Sequence, residues 1–155
     1  RAVALSNLGS ALLQAGQPGA ARERLEEAVR LAPDLPDARF NLGNALLQAG
    51  APAAALAHYE AALAVRPDDA EYRGNYANAL MELNRFPAAV RELERVVRLR
   101  PESAEAHNNL GVAFALAGSP SQARRHFLRA VELAPDFQEA RANLARAERD
   151  LELHR

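Results

Sequence analysis

The amino-acid sequence predicts an all-α protein built from stacked helical hairpins, and two observations support this prediction. Apolar residues recur at i, i+3, i+4 and i+7, which marks one face of an α-helix. The first such stripe is Leu8, Ala11, Leu12 and Ala15. The pattern then repeats every 34 residues in columns that keep one register. Three of these columns are Gly9, Gly43, Ala77, Gly111 and Ala145; Ala21, Ala55, Ala89 and Ala123; and Pro33, Pro67, Pro101 and Pro135.

Each unit of 34 residues is predicted to hold two helices joined by a short turn. The first, helix A, carries the stripe and stops at a residue that tolerates a left-handed backbone conformation. The stop residues are Gly16, Gly50, Asn84 and Gly118. Proline follows closely, and its fixed φ and missing N–H suit the first turn of the second helix, helix B. Helix B ends before the proline column, because proline interrupts a helix interior.

Four units follow one another without a linker, and we expect a single domain over residues 1–155. The units are predicted at residues 2–35, 36–69, 70–103 and 104–137. Residues 138–155 repeat the helix A pattern, but Glu148 stands where earlier units have leucine or phenylalanine, so this segment is predicted to cap the stack. The first unit has no such polar cap, and we expect the sequence to be a piece of a longer chain.

Composition excludes several classes of function. There is no cysteine, which removes thiolate nucleophiles, disulfides and cysteine metal ligands, and no lysine, which removes Schiff-base chemistry. Among the 155 residues, 49% are hydrophobic, 25% are charged and the net charge is −1. This balance offers no global positive field to attract nucleic acid or an anionic membrane, so neither is expected as a partner. The compartment is not indicated.

No catalytic, cofactor or metal site is predicted. His58 and His126 share a helix B column two units apart, which is about 20 Å at typical helix spacings and too far for one metal ion. Serines such as Ser103 stand at predicted helix starts, where capping explains them. The chain is therefore not expected to be an enzyme.

The columns resemble the tetratricopeptide repeat, a helix–turn–helix of 34 residues with small residues at positions eight, twenty and twenty-seven and proline at position thirty-two. The resemblance covers nearly the whole chain. It implies a right-handed α-solenoid whose A helices line a concave groove, which usually holds another protein's peptide or helix. The family's usual tryptophan at position four is absent, and its column here is Leu5, Arg39, Arg73 and His107.

One asparagine recurs in every A helix, at a position that the resemblance places in the groove. This column is Asn7, Asn41, Asn75, Asn109 and Asn143. Asparagine is unfavourable inside a helix, but its amide can pair with both N–H and C=O of any peptide backbone. A similar ladder lines the repeats of O-linked N-acetylglucosamine transferases, and the resemblance implies the same use. The alternative, that the amides bond between repeats and only set the superhelical twist, stays open.

Other predicted groove residues surround this column. The further peptide-binding candidates are Asn44, Asn78, Phe40, Leu47 and Met81. Carboxylates such as Asp37 give the groove an acidic character, which favours a neutral or basic extended peptide. The leading hypothesis is a protein–protein interaction module. The alternatives are a structural spacer or self-associating scaffold joined through the first hairpin, or the substrate-presenting region of a larger enzyme.

Overall fold

The computed structural model describes residues 1–153, and these form nine helices with no strand. The helices are α1 (Ala2–Gln14), α2 (Pro18–Leu31), α3 (Pro36–Gln48), α4 (Pro52–Val65), α5 (Ala70–Glu82), α6 (Phe86–Leu99), α7 (Ala104–Leu116), α8 (Pro120–Leu133) and α9 (Gln138–Leu153). Odd-numbered helices are the A helices and even-numbered ones the B helices. The predicted all-α repeat solenoid class is confirmed. None of the helices in this part of the chain is long and apolar enough to cross a membrane.

The helices fall into two compact units, of which the first is Arg1–Leu83 and the second begins at Asn84. In the first unit each helix packs on the next, and α3 also lies beside α1 and α5. In the second unit α6, α7, α8 and α9 pack in the same order, and α7 also lies beside α9. Each unit therefore places its A helices side by side. The single domain expected from the sequence stays a prediction.

The predicted stop of helix A is confirmed at all four turns. The stop residues have positive φ angles: Gly16 at 70°, Gly50 at 73°, Gly118 at 77° and Asn84 at 58°. At the second turn the Gly50 N–H donates to the Leu47 carbonyl at 3.0 Å, and the Ala51 N–H donates to the Leu46 carbonyl at 2.9 Å. This bonding satisfies the last carbonyls of α3 while the chain reverses into α4.

The column without tryptophan has a structural use of its own. In three repeats its side chain bonds to the carbonyl of the proline six residues upstream, and so ties the preceding turn to helix A. The pairs are Arg39 Nε with Pro33 at 2.8 Å, Arg73 Nε with Pro67 at 2.7 Å, and His107 Nε2 with Pro101 at 3.0 Å. An arginine or histidine N–H replaces packing of an aromatic ring with a directed hydrogen bond.

At the three glycines of the first small-residue column, Gly9, Gly43 and Gly111, a large side chain of helix B packs against the backbone of helix A. A Cβ atom at Gly43 would lie 2.7 Å from Cε1 of Tyr59, which is buried. The equivalent distances are 2.4 Å for Gly9 to Leu25 and 2.5 Å for Gly111 to Phe127. At these three positions glycine leaves the room that the helix B side chain occupies, whereas the third repeat has Ala77 in the column.

We predict that Gly43→Ala lowers the free energy of unfolding by about 1–3 kcal/mol, because the new methyl group overlaps the Tyr59 ring. Gly74→Ala is the matched control, since it is also inside an A helix of this unit but meets no atom within 4 Å. It should stabilise the protein by up to about 1 kcal/mol. Urea denaturation measures both, and equal effects of the two substitutions would contradict the packing described.

The second unit contains a histidine pair between α7 and α8. Nδ1 of His107 lies 3.1 Å from Nδ1 of His126, and the His126 ring stacks on Phe114 with ring centroids 5.5 Å apart. Burial, reinforced by His107 and Arg125, lowers the pKa of His126 to about 4. No group of three or more possible metal ligands lies together within residues 1–153.

The His126 environment predicts acid-sensitive stability. The unfolded chain takes up a proton near the ordinary pKa of 6.5, whereas the folded protein resists it until about 4. The free energy of unfolding should therefore fall as the pH drops through this window. Replacing His126 by glutamine should make the slope shallower in denaturation experiments between pH 7 and pH 4. Identical slopes for both proteins would contradict this assignment.

Candidate functional site

The asparagine column lies on the side of the A helices opposite helix B. Gly43 contacts Tyr59 of α4, and Asn41 comes two residues earlier, so the two point to nearly opposite sides of α3. Asn7 is exposed, while Asn41 and Asn75 are half-buried on neighbouring A helices of the first unit. We call this surface of α1, α3 and α5 the amide face.

The amides of the first unit bond to the preceding A helix but retain capacity. Asn41 Nδ2 donates to Ser6 Oγ at 3.4 Å, and Asn75 Nδ2 donates to Asn44 Oδ1 at 3.0 Å. Each of these asparagines thus spends one N–H group on its neighbour. Within residues 1–153 no group donates to Oδ1 of Asn41 or Asn75, so both carbonyl oxygens can accept a bond from a ligand.

In the second unit the amides form a chain between two charged groups. Arg146 Nη2 donates to Asn143 Oδ1 at 3.1 Å, Asn143 Nδ2 to Asn108 Oδ1 at 3.0 Å, and Asn108 Nδ2 to Glu139 Oε1 at 3.0 Å. The cation at one end and the carboxylate at the other fix the orientation of both amides. Asn143 therefore has less free bonding capacity than Asn41. Asn109 is half-buried and makes no side-chain hydrogen bond to the described residues.

A tyrosine from helix B reaches the amide face. The Tyr59 hydroxyl donates to Asn44 Oδ1 at 2.8 Å, so this oxygen accepts two hydrogen bonds. Burial, with a smaller effect of Glu82, raises the pKa of Tyr59, so the hydroxyl keeps its proton. Sequence reasoning missed Tyr59. The available signal was a tyrosine in a column otherwise filled by leucine and phenylalanine.

Phe40 requires a correction. It was predicted to offer an open apolar contact in the groove, but its side chain is 6% exposed. Its ring stacks on Tyr72 with ring centroids 4.3 Å apart and meets Tyr59 at 5.9 Å. The aromatic side chains of α4 and α5 cover Phe40, which makes it a core residue. The other candidates, Asn44, Leu47, Asn78 and Met81, are half-buried on α3 and α5.

The acidic character expected at Asp37 is largely offset. Arg66 donates to both carboxylate oxygens of Asp37, at 2.9 and 3.2 Å, and the Tyr72 hydroxyl donates to it at 2.5 Å. Burial and the adjacent Asp37 raise the pKa of Tyr72, so this hydroxyl also remains a donor. The cluster joins α3 to α5 and the end of α4, and its carboxylate is paired rather than free for a ligand.

Comparisons with known proteins agree with this architecture. The sequence profile described as Tetratricopeptide repeat matches residues 6–75, 45–89 and 75–136. A search of curated protein sequences finds no significant match.

Solved structures of low sequence identity share the fold. MamA from residue 41 to its end, from Desulfovibrio magneticus RS-1, has a TM-score of 0.90 at 23% identity, covering 97% of this chain and 85% of that one. YrrB, described as a TPR protein with an unusual peptide-binding site, gives 0.82 at 24% identity over 90% and 72%. PilF of Pseudomonas aeruginosa gives 0.86 at 25% identity over 97% and 69%. The profile matches span most of the sequence, and the chain belongs to the tetratricopeptide repeat family.

Proposed function

We propose that this chain is a protein–protein interaction module that binds an extended peptide segment along its A helices through the asparagine column. The free carbonyl oxygens of Asn41 and Asn75 carry the proposal. These oxygens belong to adjacent A helices. The Nδ2 group of each asparagine donates to the preceding A helix, which orients the amide and leaves its carbonyl oxygen without a partner among residues 1–153. Half-buried amides of this kind gain by pairing with a ligand backbone that supplies N–H and C=O groups.

The spacing of the column suits an extended peptide. Neighbouring packed helices lie about 10 Å apart, and an extended chain advances about 3.3 Å per residue, so one amide meets every third residue or so. Backbone recognition of this kind is independent of side-chain identity. Among the solved relatives, YrrB is described as having a peptide-binding site, which agrees with this use of the fold.

The surroundings of the amides favour a neutral or weakly basic peptide with modest apolar side chains. Leu47 and Met81 offer partly accessible apolar surface near the column, while Glu71 and Glu82 are exposed on α5. Because Arg66 pairs with Asp37, the acidic contribution comes from the exposed glutamates. These exposed charges would affect the salt dependence of binding more than its strength.

Replacing Asn7, Asn41 and Asn75 together by alanine should weaken binding at least about tenfold, because it removes several ligand hydrogen bonds along the amide face. The probe is the tightest peptide selected from a random library on the unchanged protein, and its affinity is measured by calorimetry. Gln122→Ala, which removes an exposed amide on α8, is the matched control and should bind normally. Unchanged affinity of the triple variant, with normal helicity by circular dichroism, would overturn the proposal.

Self-association is a second candidate function, and one observation favours it. Leu8 on α1 is 47% exposed, whereas Leu42 and Leu110 in the same column are 3% and 1% exposed. The face that later repeats bury is therefore open on α1. A second copy of the chain could bury it by pairing the two α1 helices.

If this pairing occurs, sedimentation of the unchanged protein should show concentration-dependent dimers that Leu8→Glu abolishes. Val65→Glu is the control, because Val65 is 51% exposed on α4, whereas the helices that pack on α1 are α2 and α3. A monomer at all concentrations, or dimers that survive Leu8→Glu, would exclude this candidate.

A further inference from the structure

The Tyr59 hydroxyl reaches the amide face from the core of the first unit. Tyr59 belongs to α4, and its ring lies against the α3 backbone where Gly43 has no Cβ atom. The hydroxyl beyond the ring donates to Asn44 Oδ1 at 2.8 Å. The glycine thus permits a buried residue of helix B to reach a side chain on the adjacent side of helix A, one residue beyond Gly43.

This contact determines which groups of Asn44 remain free. Its Oδ1 accepts from both the Tyr59 hydroxyl and Asn75 Nδ2, which uses the two lone pairs of a carbonyl oxygen. Within residues 1–153 no group accepts a hydrogen bond from Asn44 Nδ2. Asn44 therefore offers N–H donors, while the adjacent Asn75 offers a carbonyl acceptor.

We propose that Tyr59 is a positioning residue for the peptide site and that it holds Asn44 as a fixed donor to a backbone carbonyl of the bound peptide. This inference rests on the proposed function and adds to it which amide donates to the peptide and which accepts from it. The Asn44 amide pairs with a peptide C=O, and the neighbouring Asn75 oxygen pairs with a peptide N–H. A donor and an acceptor side by side match the alternating groups of an extended backbone.

Equivalent positions elsewhere lack this combination. Leu25 lies against Gly9 and Phe127 lies against Gly111, and neither side chain carries a hydroxyl. The residues in the Asn44 column are Ser10 and Val112 in those two repeats. The third repeat keeps the amide at Asn78 but has Leu93 in the Tyr59 column, so of the four repeats the second is the one that combines an asparagine with a hydroxyl from helix B. Phe127 also shows that phenylalanine fits against a glycine of this column.

The test is Tyr59→Phe, which removes the hydroxyl and keeps the ring. The probes are the library-selected peptide and a series of its analogues, each with one backbone amide replaced by an ester. Tyr59→Phe should weaken binding of the parent peptide about threefold to tenfold, which is the effect of one lost supporting hydrogen bond. Tyr76→Phe is the matched control, because its hydroxyl donates to the exposed Glu60 instead, at 2.8 Å. It should bind normally.

The ester series distinguishes positioning from a general structural effect. An ester removes one N–H and weakens one carbonyl acceptor, so one analogue should lose affinity for the unchanged protein through the Asn44 contact. The loss of affinity caused by that one ester should be smaller for Tyr59→Phe than for the unchanged protein, while the losses caused by esters at other positions should be the same for both proteins. A merely destabilised protein would lower all affinities together, without changing the pattern.

A double-mutant cycle completes the test. Asn44→Ala should weaken binding at least as much as Tyr59→Phe, and adding Tyr59→Phe to it should cause no further loss. Additive losses, or full affinity of Tyr59→Phe, would overturn the positioning role. If the triple asparagine variant binds normally, the proposed function itself fails. If that variant loses binding and Tyr59→Phe does not, only the role of Tyr59 fails.

Discussion

In three of the four hairpins the architecture depends on the contact between a glycine of helix A and a large side chain of helix B. Gly43 and Tyr59 show it most clearly, since a single added carbon at Gly43 would fall within 2.7 Å of the tyrosine ring. Close packing of this kind fixes the rotation of each helix about its own axis, because a rotated helix would present a Cβ atom at the same place. The remaining faces of helix A are thereby assigned to neighbouring A helices or to solvent.

The fixed rotation explains how a scaffold without reactive groups can recognise a ligand. Asn41 and Asn75 are held partly by bonds to the preceding A helix, and these bonds orient them without using all their bonding capacity. The alternatives raised by the sequence, repeat-to-repeat bonding and ligand binding, are therefore compatible in one side chain. In the second unit one column residue, Asn143, joins a chain of hydrogen bonds from Arg146 to Glu139, which shifts its balance toward structure, whereas Asn109 makes no side-chain hydrogen bond to the described residues.

Much of the fold could be predicted from sequence because its determinants are local. Helical spacing, the left-handed stop at Gly50 and proline at the start of the next helix each act within a few residues. The residues of the binding face were harder to predict from the sequence. Phe40 was expected in the groove, but Tyr72 covers it, and a column of equivalent positions does not reveal the size of the neighbour. The hydrogen bond from Tyr59 to Asn44 joins α4 to α3, and it forms because the tyrosine ring lies against the backbone at Gly43. Residue spacing alone does not reveal such a contact.

The most direct test of this account is the nuclear magnetic resonance spectrum of the side-chain amides during titration with the library-selected peptide. If the peptide binds along the amide face, the signals of Asn41, Asn44 and Asn75 should shift in proportion to the bound fraction, whereas that of Gln122 on α8 should stay in place. Binding that shifts Gln122 and leaves the three asparagine signals unmoved would contradict it, because the peptide would then contact helix B of the second unit and not the amide face.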